Sequence, residues 1–133
     1  MIKPTKIQVR FADCDMMGHV NNAVYLSYFE QARMHYFGQL VGADWDYKKQ
    51  GTLLVKNEVT YLKPIFLHDF PEISLHLIEI GDKSFTFGYK VTVEGELRTT
   101  GASKLVCFDF RSKSSVKVFP EFIEAFKQLE ETA

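Results

Sequence analysis

Between Asp13 and Asn22 the chain reads DCDMMGHVNN, which crowds two carboxylates, a thiol, an imidazole and two side-chain amides into ten residues. The run that follows, AVYLSYFEQARMHYFGQL, has helical spacing, so these polar groups stand where a helix begins. That place has chemistry of its own. The first backbone N–H groups of a helix lack partners inside it, and the aligned peptide dipoles leave about half a positive charge there. An oxygen that develops negative charge during a reaction is stabilised at such a spot. Asp13 or Asp15, a few residues upstream, can supply a carboxylate that attacks a carbonyl or takes a proton from water. The plainer reading is a capping loop: Asn21 or Asn22 is a favoured N-cap, and Gly18 lets the backbone turn tightly between the carboxylates and the cap. Spacing alone leaves both open.

The elements that hold this loop are readable from their periods. Lys6 to Phe11 alternates as a short strand, with Ile7, Val9 and Phe11 on one face. From Ala23 to Leu40, Tyr25, Phe29, Ala32, Tyr36 and Leu40 recur at three- and four-residue steps. Leu26, Met34 and Phe37 widen that surface, which predicts a helix enclosed on most sides. Gly42 is a stop, and GADWDYKKQG reads as loop. After Gly51 the period changes to two: Leu53, Val55, Asn57, Val59 and Tyr61 are expected on one strand face, alternating with Leu54, Lys56, Glu58, Thr60 and Leu62 as far as Pro64. Ile73, Leu75 and Leu77 begin another strand. IGDKS is a turn, after which Phe85, Phe87, Tyr89, Val91 and Val93 alternate strictly. EGE turns into a last long strand, Leu97 to Phe110, with small residues at Gly101, Ala102 and Ser103. Pro120 opens a short amphipathic helix through Phe122, Ile123, Phe126 and Leu129. The order is strand, long helix, four antiparallel strands, short helix. It predicts one α+β domain over 1–133, with a sheet face wrapped on the long helix.

Composition narrows the function. At 133 residues, 46% hydrophobic and 25% charged, the chain suits one packed domain and excludes a disordered or fibrous one. Sixteen Lys plus Arg against seventeen Asp plus Glu argue against a nucleic-acid partner or an anionic membrane surface, so an anionic ligand must be held locally. The opening MIKPTKIQVRF lacks the apolar core of a signal peptide, and no run approaches the roughly 18 apolar residues of a membrane span. A cytoplasmic location is expected. Cys14 and Cys107 show neither metal nor redox spacing and are read as reduced thiols.

VRFADCDMMGHVNNAVYLSYFEQAR resembles the signature of the 4-hydroxybenzoyl-CoA thioesterase-like branch of the hotdog-fold superfamily, and NEVTYLKPIFLHD resembles the strand after the helix in those proteins. The resemblance implies a hotdog fold, an antiparallel sheet wrapped around a long central helix, pairing into homodimers and often homotetramers with acyl-CoA sites at the interface. Carried over residue by residue, it implies Asp15 as the catalytic carboxylate and Asn22 as the residue whose backbone N–H polarises the thioester carbonyl. The HVNN segment, which includes His19, looks more like the thioesterases of fatty acyl-CoA and acyl-carrier protein than the aryl branch. Met17 stands where the plant acyl-carrier thioesterases have an Asn.

Thioester hydrolysis fits the loop's own chemistry. Asp15 either attacks directly, giving an anhydride, or accepts a proton from water, while the Asn22 N–H steadies the tetrahedral oxyanion. His19 is a candidate to orient Asp15 or water, and Gly18, Tyr25 and Phe29 are expected beside the acyl group. No cofactor is needed. Asp13 reads as a loop-fixing hydrogen-bond acceptor, Glu30 and Glu58 as fallback carboxylates, and Cys14 lacks a His partner. His35, His68 and His76 have no zinc spacing, so no metal is expected. Two other readings stay open: an acyl-carrier-protein thioesterase, and a non-catalytic acyl-CoA binder, which could dispense with Asp15.

Overall fold

The computed structural model describes residues 2–132, with side chains as far as Leu129. The outermost residues of the expected domain, Met1 and Ala133, lie outside the described residues. In chain order come β1 (Thr5–Lys6), a 3-10 turn at Phe11–Asp13, α1 (Val24–Leu40), β2 (Gln50–Tyr61), β3 (Glu72–Ile80), β4 (Ser84–Val93), β5 (Glu96–Asp109), β6 (Ser114–Ser115) and α2 (Pro120–Thr132). The strands form one antiparallel sheet in the order β1-β3-β4-β5-β2, with β6 on the end of β5. The expected α+β sequence of elements is observed; β6 carries no periodic signal and was not anticipated.

Three local expectations need correction. The first strand stops at Lys6, although Ile7 and Val9 stay buried. The Asp13 carboxylate takes the Arg10 N–H and pulls residues 11–13 into a tight turn, which rotates Phe11 out to 84% exposure. Second, α1 is not enclosed on most sides: Leu26 and Met34 are exposed, because the sheet covers only the face of Tyr25, Tyr28, Phe29, Ala32, Tyr36 and Phe37. Ile123 on α2 is exposed for the same reason, while Phe122, Phe126 and Leu129 are buried.

The third concerns β2. Leu54 pairs with Leu105 and Lys56 with Lys104, so Val55 has no partner across the ladder and forms a bulge. Before the bulge Thr52 and Leu54 face α1, and after it Asn57, Val59 and Tyr61 do. Leu53 therefore does not share a face with Asn57, as strict alternation predicts. Lys56 and Glu58 lie on the outer face with Glu79, Thr86, Ala102 and Lys104.

β5 supplies the floor under α1: Thr99, Gly101, Ser103, Leu105 and Cys107 face the helix. Gly101 pairs with Tyr89, whose ring stacks on Phe29 at 4.2 Å between centroids. A Cβ on Gly101 would stand 2.5 Å from the Phe29 ring and 2.9 Å from the Glu58 carbonyl oxygen. The small residue there is what lets Phe29 reach the sheet. At the other end of α1, Phe37 meets the rings of Phe85, Phe87, Phe122 and Phe126, tying helix, sheet and α2 into one aromatic core.

Candidate active site

The polar loop before α1 is a tight hairpin. Cys14 bridges Val20, the Asp15 N–H donates to the His19 carbonyl at 2.8 Å, and the Gly18 N–H donates to the Asp15 carbonyl at 3.0 Å. Gly18 has φ +79, the left-handed conformation that glycine adopts without penalty. The Asp15 carboxylate closes the loop from inside: its Oδ1 accepts the Met17 N–H at 2.9 Å and the His19 N–H at 3.3 Å. Oδ2 accepts nothing among the described residues. Asp15 is thus both turn residue and exposed carboxylate.

Asp13 has the other role. It is buried, and its carboxylate accepts the Arg10 N–H at 3.0 Å, the Arg10 guanidinium at 3.0 Å and the Tyr28 hydroxyl at 2.8 Å. Burial pushes the Asp13 carboxyl up, but the Arg10 N–H, the Tyr28 hydroxyl and the Arg10 guanidinium together outweigh it and hold the group below its ordinary 3.8. The Tyr28 hydroxyl is pushed up, by burial first and then by its bond to Asp13. With the Asn21 N–H donating to the Asp13 carbonyl at 2.8 Å, this cluster pins the loop to the start of α1. Asp13 is the loop-fixing acceptor that its position suggested.

Helix α1 starts one residue later than expected. Its N-cap is Ala23, with no side-chain cap, so neither Asn21 nor Asn22 caps the helix as expected; Asn21 instead makes the turn before it, its Oδ1 accepting the Ala23 N–H at 3.0 Å and its carbonyl the Val24 N–H at 3.0 Å. Asn22 follows with an exposed side chain and a backbone N–H that meets no acceptor among the described residues. No acidic residue occupies the first turn of α1, so its positive end is unopposed by its own side chains.

Asp15, Met17, His19, Asn22 and Tyr25 line one pocket of about 320 Å³, closed on the other side by Tyr61, Leu62, Lys63 and Pro64 at the end of β2. Tyr61 fixes that wall, donating its hydroxyl to the Asn22 carbonyl at 2.7 Å and setting its ring edge-on to Tyr25. Lys63 is held by Glu96 at 2.8 Å. Burial pushes the Tyr25 hydroxyl up, so it stays protonated. Tyr61 and Lys63 were missed from sequence because they come from a strand far along the chain; Pro64, which stops β2 at this spot, was the available signal.

Of the expected site residues, the structure brings together Asp15, His19, Asn22 and Tyr25. Gly18 shapes the loop without lining the pocket. Phe29 is a correction: it is fully buried against Tyr89 and Gly101, because the opening above Gly101 draws it into the core. The His19 ring packs edge-on against Phe66 at 5.0 Å, and only the backbone of His19 reaches Asp15. Glu58 pairs with Lys56 on the outer sheet face, away from the pocket. The Cys14 thiol is pushed up by partial burial and by the Asp13 and Asp15 charges, which disfavours a thiolate. Among the described residues no cluster of His, Cys, Asp or Glu is placed to hold a metal ion, and no helix is long and apolar enough to cross a membrane.

An antiparallel sheet curled on one long helix is the hotdog fold, and the class of protein, a thioester hydrolase, comes from the comparisons. The chain belongs to the thioesterase-like superfamily, which matches residues 9–126. A thioesterase from Thermus thermophilus, solved with coenzyme A and zinc, is 34% identical and superposes with a TM-score of 0.85 over 97% of this chain and 94% of that one. The long-chain acyl-CoA thioesterase FadM of Escherichia coli K12 is 27% identical over 128 residues, 94% of this chain and 97% of its own length. A DHNA-CoA thioesterase from Staphylococcus aureus, 25% identical, superposes with a TM-score of 0.83 over 97% of this chain and 91% of that one.

Proposed function

We propose that the chain hydrolyses acyl-CoA thioesters in the pocket at the start of α1, with Asp15 as the reacting carboxylate and the Asn22 N–H as the oxyanion donor. The observation that carries this reading is the placement of an exposed carboxylate and an unpaired helix-start N–H in one pocket. The thioester carbonyl oxygen sits at the Asn22 N–H, where the helix dipole adds to the hydrogen bond. Asp15 Oδ2 then either adds to the carbonyl carbon or takes a proton from a water that adds there. In the first route the coenzyme A thiolate leaves an acyl–Asp15 anhydride, which water opens to free acid and carboxylate. In the second, the tetrahedral adduct expels the thiolate directly. Both end in free acid and coenzyme A. Lys63, in the pocket wall, is the cation placed to meet an anionic part of the coenzyme. We place this reaction in the cytoplasm.

Release of free thiol from a panel of acyl-CoA esters tests the activity. Tyr25, Tyr61, Leu62 and Pro64 make the pocket wall largely apolar, so octanoyl-CoA and benzoyl-CoA should show higher kcat/KM than malonyl-CoA. Equal or reversed values would remove the acyl assignment. After a single turnover in heavy-oxygen water, label in the Asp15 carboxylate identifies the anhydride route, opened at the Asp15 carbonyl; attack of water on the acyl carbonyl labels the product acid in either route.

A further inference from the structure

A second cavity, of about 370 Å³, lies along the later half of α1; it is walled by Met34, Phe37, Leu54 and Leu105 and holds Glu30 and Arg33. Arg33 is only 8% exposed. Its Nη1 donates to the Tyr89 hydroxyl at 3.0 Å and to Ser103 Oγ at 3.3 Å, and Ser103 Oγ donates in turn to Asn57 Oδ1 at 2.5 Å. All of these partners are neutral. Among the described residues the guanidinium forms no ion pair, and its Nε and Nη2 find no acceptor. The free donors of this largely buried cation are not sealed in but open to the cavity, and a planar guanidinium takes a carboxylate through two parallel bonds. Tyr89 and Ser103 fix the group by one nitrogen and leave its other donors at a cavity whose wall carries Glu30, Tyr47 and Thr52 beside its apolar side chains.

This cavity and the active-site pocket share one side of the helix. Asn22, Leu26, Glu30, Met34 and Gly38 succeed one another at four-residue steps; the first lines the pocket and the last three line the cavity. β2 runs opposite, from Tyr61 at the pocket to Leu54 and Thr52 at the cavity. Asn22 and Arg33 are separated by about 16 Å of helix at ~1.5 Å per residue. The Arg33 side chain leans back toward the helix start and shortens the gap. An extended chain of roughly twelve carbons, whose zigzag of ~1.5 Å bonds advances ~1.25 Å per bond, bridges the shortened gap.

We propose that Arg33 is a specificity-determining residue that selects acyl groups carrying a carboxylate at their far end, medium-length ω-carboxyacyl thioesters. This rests on the reading of Asp15 and Asn22 as the reacting end. A malonyl carboxylate stops far short of Arg33 and is stranded among apolar side chains, so poor use of malonyl-CoA and good use of a longer diacid go together. Glu30, exposed and one turn earlier on the same side, competes for the guanidinium.

The test compares the mono-coenzyme A thioester of dodecanedioic acid with dodecanoyl-CoA on the wild type, Glu30→Gln and Arg33→Met. The wild type should favour the ω-carboxy substrate by at least about tenfold in kcat/KM, the scale of one well-placed polar contact. Glu30→Gln should raise that ratio, and Arg33→Met should bring it to one or below. An Arg33→Met variant that loses both substrates equally marks Arg33 as part of the frame and overturns the proposal. So does a wild type indifferent to the far carboxylate, a comparison that stands even if Arg33→Met fails to fold. Calorimetric binding of two non-hydrolysable coenzyme A thioethers, a diacid analogue with a carboxylate at the far end of its twelve-carbon chain and the same chain without it, reads the Arg33 end without hydrolysis. Tighter diacid binding with no turnover of either thioester upholds Arg33 and refutes the thioesterase reading; equal binding overturns the role of Arg33.

Discussion

Asp13 and Asp15 stand two residues apart and differ in everything but side-chain chemistry. Asp13 is enclosed by Arg10 and Tyr28, whereas Asp15 closes a turn with one oxygen and leaves the other open. Replacing Asp15 with Asn keeps the size and much of the turn but removes the charge needed for attack. Turnover should fall by at least about a hundredfold while thioester binding survives, because the carbonyl contact is a backbone N–H. Steady-state kinetics with calorimetric binding check this; near-normal turnover in a folded variant would return Asp15 to a purely structural role. Asp13→Asn should act on stability instead, by about 1–3 kcal/mol, the worth of a hydrogen bond to a buried charge. Since the folded Asp13 carboxyl lies below its ordinary 3.8, its stabilisation is complete above that pH and is lost as pH falls through the folded value. Melting curves of wild type and Asp13→Asn should therefore converge on acidification below about pH 4; a gap that persists there would contradict the assignment. The loop-fixing role of Asp13 was legible in sequence because Arg10 is close along the chain, while the reacting role of Asp15 stands as a proposal. Tyr61, Lys63 and Arg33 were not legible, since their partners lie dozens of residues away.

Among the elements, α1 and β5 depend on each other most closely. The sequence marks a run of small residues in β5, and the structure shows their use: Gly101 admits Phe29, and Ser103 receives Arg33. Gly101→Ala puts a methyl into the Phe29 ring and the Glu58 carbonyl, and should destabilise by about 1–3 kcal/mol through overpacking. Phe37→Ala leaves a hole among four rings and should cost about 3–5 kcal/mol. Chemical denaturation of both variants measures these losses, and a neutral Gly101→Ala would mean that the helix shifts freely on the sheet. Type and order of the long elements followed from periodicity, while the 3-10 turn at Phe11–Asp13 and the two-residue β6 did not. The bulge in β2 did not, because a one-residue mismatch is a property of two paired strands and leaves no mark in either one.

For the whole molecule, the outstanding feature is an edge. β2 ends the sheet, and beside it Leu26, Met34, Leu53, Val55 and Leu62 are exposed. Unpaired edges next to apolar side chains invite pairing, and a second copy laid antiparallel along β2 would cover both. We therefore expect at least a homodimer at micromolar concentration by light scattering. Leu53→Lys with Met34→Lys should shift it toward monomer, and a wild type that is monomeric throughout would show that the edge stays bare.

The bulge at Val55 also sets which length changes β2 tolerates. In a regular strand, losing one residue moves everything beyond it to the opposite face. Here Val55 is the residue that β5 leaves uncounted. Deleting it would join Leu54 to Lys56 and give an unbroken alternation in which Thr52, Leu54, Asn57, Val59 and Tyr61 all still face the helix. Deleting Thr60 would instead turn Tyr61 away from Asn22 and open the pocket wall. A scan of single-residue deletions along β2 should find its survivors at Leu54, Val55 and Lys56, where the strand already holds a residue more than its partner needs.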